Sequence, residues 1–179
     1  FVNVRLEWID LHRADQSELT TLKYAKYYGI KPDRLVIEIT EEEYLGTSNI
    51  QGLMDAYRRA GCRIALDDYG KRGSTIERLA QVFPDIIKIN MDYIHRIEES
   101  FHFREYIKSL AEFGRRVGVD VLYEGVETKR QVDICMSHGG RYYQGFILAR
   151  PQPDLKGALV DLDLFVDSGL RMGASRRIQ

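Results

Sequence analysis

RIALDDYGKRGSTIERLAQVFPDIIKIN, residues 63–90, holds the pattern that decides the fold. An apolar run at 63–68 ends in two adjacent aspartates, and a second apolar run follows at 85–90. Between them lies a segment at 74–83 that opens with a capping box, Ser74 with Glu77. Strand, helix and strand in this order predict neighbouring parallel strands joined by a helix.

The same alternation extends along the chain. Strands are predicted at 1–9, 35–40, 63–68, 85–90, 119–125 and 141–146. Helices are predicted at 15–29, 47–61, 74–83, within 92–118, at 128–139 and at 154–166. Asp15 and the pair Thr128–Gln131 provide helix caps for two of them. The nearly continuous apolar strands predict an α/β fold with a parallel sheet covered by helices.

Two architectures satisfy this pattern, a TIM-type β/α barrel and an open doubly wound sheet. The chain contains no GxGxxG or GxxxxGKS phosphate loop, which argues against a nucleotide-binding doubly wound fold. We expect a single domain over residues 1–166 and a C-terminal tail over 167–179.

Composition limits the function classes. The 179 residues are 44% hydrophobic and 30% charged with a net charge of −1, which predicts an ordinary soluble domain. The near-neutral charge and scattered basic pairs argue against a nucleic-acid polymer as partner. No membrane-spanning run is present. Cys62 and Cys135 are expected to be reduced, buried thiols of a cytoplasmic protein.

Polar side chains collect where the predicted strands end. In a β/α barrel these carboxyl ends meet at one mouth, where such enzymes keep their chemistry. Singly, most of these residues could be helix caps, surface ion pairs or, for Asn3, a partner for backbone groups. The set comprises Asn3, Glu38, Glu41, Asp67, Asp68, Lys88, Asn90, Glu124, Glu127 and Gln144.

Together these residues indicate a cation site. Several carboxylates crowded at one mouth are costly unless cations neutralise them. Ligands that are all oxygen favour Mg²⁺ or Mn²⁺. The adjacent pair Asp67–Asp68 suits two cations, the usual arrangement for hydrolysis of phosphoesters.

The motifs VIEITE, IALDDYG, IIKIN, YEGVET and QGF have the order and spacing of the EAL domains, which are phosphodiesterases of bacterial cyclic-di-GMP signalling. The resemblance extends from Asn3 to about Pro151. It implies a TIM-type barrel that uses Mg²⁺ or Mn²⁺, in a two-metal site, to hydrolyse cyclic di-GMP to linear pGpG. It also implies a homodimer and an accompanying upstream sensory or GGDEF-type domain.

The resemblance implies roles for individual residues. Lys88 would hold the attacking water, Glu124 would act as base and metal partner, and Glu127 and Gln144 would orient water, metal and phosphate. Glu41 is similar to the glutamate that anchors the loop after the aspartate pair, and Tyr69 and Gly70 begin that loop. The implied metal ligands are Asn3, Glu38, Asp67, Asp68 and Asn90.

The sequence departs from the family pattern at three places. The EAL tripeptide, which would lie on a strand before Phe1, is absent, so we expect a barrel without its first segment and little activity from this chain alone. DDYGKRGSTI replaces the family's usual DDFGTGYSSL, and Lys88-Ile89-Asn90 replaces the usual KID. Three functions remain open: an active phosphodiesterase, a degenerate EAL domain that binds cyclic di-GMP or a protein without turnover, and an unrelated metal-dependent barrel enzyme.

Overall fold

The computed structural model describes residues 2–3, 19–40, 50–70 and 76–150, where six strands alternate with six helices. The strands are β1 Val2–Asn3, β2 Val36–Thr40, β3 Arg63–Tyr69, β4 Ile86–Ile89, β5 Asp120–Tyr123 and β6 Tyr142–Tyr143. The helices are α1 Thr20–Tyr27, α2 Ile50–Ala60, α3 Ile76–Val82, α4 Met91–Arg96, α5 Phe101–Val117 and α6 Lys129–Ser137.

All six strands form one parallel sheet, and their order in the sheet equals their order along the chain. A doubly wound sheet reverses its strand order at a switch point, whereas a β/α barrel keeps consecutive strands side by side. The structure therefore decides between the two predicted architectures in favour of the TIM-type barrel arrangement.

The predicted alternation of strands and helices is confirmed within the described residues. The capping box of α6 is also present: Thr128 Oγ1 accepts from Gln131 N at 3.1 Å, and Gln131 Oε1 accepts from Thr128 N at 3.2 Å. The Asp15 and Ser74 caps and the predicted helix at 154–166 lie outside the described residues. None of the helices in the described segments combines the length and apolar character that a membrane span requires.

One face of the sheet packs against the helices. Ile87 and Tyr123 share an apolar cluster with Ile107 of α5 and Val132 of α6. A second cluster joins β2 and β3 to α1 and α2 in the same way. Each isoleucine buried in these clusters stabilises the fold by roughly 1.5–3 kcal/mol. This face is the outer face of the barrel wall.

The opposite face carries a smaller apolar cluster that contains no helix residue. Its members come from four adjacent strands, and three of them are buried: Ala65, Ile86 and Leu122, with Val36 packed against them. Because side chains alternate between the faces of a strand, this cluster identifies the inner face of the wall. Both cysteines, Cys62 and Cys135, are buried free thiols, as predicted.

Candidate active site

Four polar side chains continue the inner face toward the carboxyl ends of the strands. Each lies two positions after a member of the inner apolar cluster, and a spacing of two returns a side chain to the same face. The pairs are Val36 with Glu38, Ala65 with Asp67, Ile86 with Lys88, and Leu122 with Glu124. Strand periodicity alone therefore directs these groups to the mouth.

Lys88 lies at the centre of this group. Its Nζ is 2.5 Å from Glu38 Oε1, 2.8 Å from Glu124 Oε1 and 2.9 Å from Asp67 Oδ1. The Lys88 side chain is 5% exposed, and those of its partners are 7%, 17% and 16% exposed in that order. One buried ammonium group thus binds carboxylates from β2, from β3 and from the residue that directly follows β5.

The charges of this cluster are strongly coupled. Burial by itself lowers the pKa of Lys88, but the hydrogen bonds to Glu124, Glu38 and Asp67 raise it well above its ordinary value. Burial raises the pKa of Glu124, against the opposing effect of Lys88. Lys88 is therefore protonated at neutral pH, while Glu124 has gained affinity for a proton.

Asp67 and Asp68 face different partners. Strand β3 changes its register against β4 between Leu66 and Tyr69, and Asp68 has a left-handed backbone with φ +55°. Asp67 Oδ1 bonds Lys88, whereas Asp68 Oδ1 accepts from Asn90 Nδ2 at 2.6 Å. The irregularity in the strand therefore separates two like charges that are adjacent in sequence.

Asn90 is the N-cap of α4. Its Oδ1 accepts from Asp92 N at 2.9 Å while its Nδ2 donates to Asp68. Both ends of the amide are thus engaged, and this pattern fixes which end is oxygen. The role of Asn90 as a metal ligand stays a prediction.

Glu127 and Gln144 lie at the rim, and both side chains are exposed. Glu127 Oε2 is 3.9 Å from His95 Nε2, and Glu127 N donates to Gln131 Oε1 at 2.8 Å. Gln144 is held through its backbone, since its N donates to Tyr123 O at 2.9 Å. The structure brings their backbones to the mouth, while their predicted roles remain predictions.

The other predicted residues are distributed differently. Tyr69 is buried in the outer cluster, and Gly70 follows it at the end of β3. Asn3 pairs in register with Glu38, so its backbone is beside the site. Glu41 lies outside the described residues.

One residue at the mouth is absent from the predicted set. Tyr93, in the first turn of α4, donates its hydroxyl to Gly70 O at 2.7 Å. Tyr93 lies four residues after the end of β4, the strand that carries Lys88, and this position is the only sequence signal for it. That signal is weak, because an aromatic residue there is equally consistent with core packing.

The donor set is chemically suited to a hard divalent cation, because its carboxylates offer oxygen alone. In the described part of the chain, no three acidic, histidine or cysteine side chains are arranged to hold a metal ion together. Three carboxylates converge on Lys88 instead. The donor chemistry thus fits Mg²⁺ or Mn²⁺, and the described residues alone do not complete a coordination shell.

Gly145 allows the two rim loops to touch. A Cβ on Gly145 would overlap the carbonyl oxygen and the amide nitrogen of Val126, whose N–H donates to Gln144 O at 3.0 Å. Since these are backbone atoms, they cannot turn aside as a side chain would. We expect Gly145→Ala to lower the free energy of unfolding by about 1–3 kcal/mol in urea denaturation.

Gly52→Ala is the matched control for that change. Gly52 lies exposed in α2, and the same substitution in a helix interior is expected to stabilise by roughly 0.5–1 kcal/mol. Equal unfolding free energies for the two variants would contradict the close contact between the rim loops.

The chain matches the EAL domain family over residues 2–151. It is 33% identical over 137 residues to the uncharacterized EAL-domain containing protein YkuI of Bacillus subtilis (strain 168), covering 76% of this chain and 34% of that protein. It is 32% identical over 135 residues to the probable cyclic di-GMP phosphodiesterase PdeA of Escherichia coli (strain K12), covering 74% of this chain and 18% of that protein. The chain therefore spans about a third or less of these relatives.

Solved structures give the same result for the fold. A manganese and cyclic di-GMP complex of Klebsiella pneumoniae BlrP1 superposes with a TM-score of 0.70 at 30% identity, covering 73% of this chain and 34% of that one. Bacillus subtilis YkuI in complex with cyclic di-GMP and calcium superposes with a TM-score of 0.69 at 31% identity, covering 85% of this chain and 38% of that one. Both similar structures thus contain a divalent cation together with cyclic di-GMP.

Proposed function

Because the chain belongs to the EAL domain family, we propose that the complete protein hydrolyses cyclic di-GMP to linear pGpG in bacterial second-messenger signalling. The observation that supports this reaction most directly is the buried Lys88 bound to Glu38, Asp67 and Glu124. A fixed positive charge beside a carboxylate of raised proton affinity is suited to phosphodiester hydrolysis.

Lys88 and Glu124 divide the chemistry. The Lys88 ammonium offers positive charge to the phosphoryl oxygens. Its three N–H groups are donated to Glu38, Asp67 and Glu124, so it can donate to the attacking water only after one of these carboxylates has released it. Glu124, whose pKa is raised by burial, accepts the proton that the water loses. Because the two groups lie 2.8 Å apart, one water can contact both once an N–H group of Lys88 has been released.

Mg²⁺ or Mn²⁺ is the proposed cofactor, in a two-metal site. When bound, these cations lower the pKa of water and neutralise charge on the phosphate. The residues proposed to hold them are Asn3, Glu38, Asp67, Asp68 and Asn90, with Glu124 as a further partner.

The rim residues are proposed to bind and orient the substrate. Glu127 and Gln144 are exposed, and Gln144 N bonds the carbonyl of Tyr123, the residue before Glu124; we assign both side chains to the phosphate and its water. Glu41, Tyr69 and Gly70 are assigned to the loop after the aspartate pair. A homodimer, an upstream sensory or GGDEF-type domain and a cytoplasmic location complete the proposal.

The alternative is a cyclic-di-GMP receptor or protein-interaction module without turnover. Two contacts favour it: Lys88 binds three carboxylates that a cation would otherwise use, and the amide oxygen of Asn90 is engaged by Asp92 N. A site whose carboxylates stay bound to the Lys88 ammonium, and not to a metal ion, can recognise a ligand without activating water.

Incubation of the full-length protein with cyclic di-GMP and Mn²⁺, followed by chromatography of the products, tests the proposal. We expect pGpG, and no product from cyclic di-AMP under the same conditions. If no pGpG forms when the protein concentration is close to the substrate concentration, the proposed phosphodiesterase activity is contradicted. Heat released on calorimetric titration with cyclic di-GMP in the presence of Ca²⁺ would then support the alternative, a receptor without turnover.

A further inference from the structure

The turn at Asp68–Gly70, where β3 ends, is joined to the N-cap and first turn of α4 by two side-chain hydrogen bonds. The Tyr93 hydroxyl donates to Gly70 O at 2.7 Å. Asn90 Nδ2 donates to Asp68 Oδ1 at 2.6 Å. The N-cap and first turn of α4 thus bond two residues of this turn, and one of those two, Asp68, carries a site carboxylate.

This turn has a backbone that needs support. Asp68 has φ +55°, in the region that L side chains disfavour, whereas Gly70 at φ +103° has no Cβ and adopts that conformation without this cost. Asp68 N donates to Asp67 Oδ1 at 2.9 Å, a local bond between neighbours. Contacts from outside the turn are therefore required to select this conformation over extended alternatives.

Tyr93 is itself held firmly. Its ring contacts Phe103 at a centroid distance of 5.2 Å and Tyr106 at 5.4 Å, both on α5. On its other side it lies against Gly70, where an added Cβ would be 2.7 Å from Tyr93 Cε2. The hydroxyl position is thus set by α5 and by close packing on the turn.

We propose that Tyr93 is a positioning residue of the site. Through its bond to Gly70 it keeps Asp67 directed to Lys88 and Asp68 directed to Asn90 before any cation arrives. The inference rests on the proposed function only where it takes the two aspartates as cation ligands. It assigns the preorganisation of this turn to α4 and α5, not to the cation.

Tyr93→Phe tests this role because it removes the hydroxyl and keeps the ring. Tyr24→Phe, the same change on a tyrosine that is 63% exposed, is the control. The first measurement is amide hydrogen exchange in the presence of EDTA, followed at Asp68 and Asp92, whose N–H groups bond Asp67 and Asn90. The second is the Kd for Mn²⁺ by calorimetry, without cyclic di-GMP.

We expect exchange at these two amides to become about threefold to tenfold faster in Tyr93→Phe, with the Mn²⁺ Kd raised by a similar factor, since one hydrogen bond is lost. Exchange in α1 and β5 should match the control. A structural role alone would lower overall stability and leave the Mn²⁺ Kd unchanged.

Each outcome has a definite meaning. Unchanged exchange at Asp68 and Asp92 overturns the proposal. Faster exchange with a Mn²⁺ Kd equal to the control overturns the role toward the cation. If the unmodified protein binds no Mn²⁺, the proposed cofactor fails, and the exchange result alone decides whether Tyr93 holds the turn. Absence of turnover with normal Mn²⁺ binding contradicts the proposed hydrolysis and leaves this inference standing.

Discussion

Replacing Lys88 with methionine is expected to lower the free energy of unfolding by about 3–5 kcal/mol in metal-free buffer, because removal of one partner leaves buried charges without compensation. Three carboxylates within 2.9 Å of the ammonium would then face one another across the barrel mouth. Methionine has a similar volume, so the loss measures charge more than packing.

Lys108→Met is the matched control in urea denaturation. Lys108 Nζ is 3.9 Å from Glu105 Oε2 and its side chain is 47% exposed, so its removal should change stability by about 1 kcal/mol or less. An equal loss in the two variants would show that the buried cluster contributes no more than a surface pair.

The loss of unfolding free energy in Lys88→Met should depend on pH. Lys88 is the group that lowers the pKa of Glu124 against burial, so the variant's Glu124 has a pKa raised further. An acid whose folded pKa is raised stabilises the fold when protonated, and that stability is lost as pH rises through the folded pKa. The stability gap to the unmodified protein should therefore be smaller at pH 5 than at pH 8.

Glu124→Gln is expected to lower kcat for pGpG formation by about 10²–10⁴-fold, the usual contribution of a general base. Glutamine keeps the shape and an oxygen that can accept the bond from Lys88 Nζ, which is 2.8 Å away in the unmodified chain. It cannot take a proton from water. The variant should therefore fold normally but lose proton transfer from the attacking water.

Product formation under saturating cyclic di-GMP and Mn²⁺ measures this effect in the full-length protein. Glu112→Gln, an exposed glutamate on α5, is the control for the loss of one negative charge. A rate for Glu124→Gln within about threefold of that control, well short of a general base's effect, would exclude Glu124 as the base.

Much of the site could be predicted from local pattern. Glu38, Asp67, Lys88 and Glu124 were expected at strand ends, and strand periodicity directs all four to the inner face. Their convergence on Lys88 depends in addition on the strand order, which the sequence left open between two architectures. The sequence also could not say which carboxylates the lysine would bind.

The aspartate pair shows most clearly what could not be predicted from the sequence. The sequence by itself determined that two carboxylates follow a buried strand, and that six strands alternate with helices. Only the tertiary structure decided that Asp67 contacts Lys88 while a register shift turns Asp68 to Asn90. It likewise decided that Tyr93 bonds Gly70. The physical reason is that periodicity and capping act between near neighbours, whereas these contacts join separate strands and helices whose relative placement comes from packing of the whole sheet.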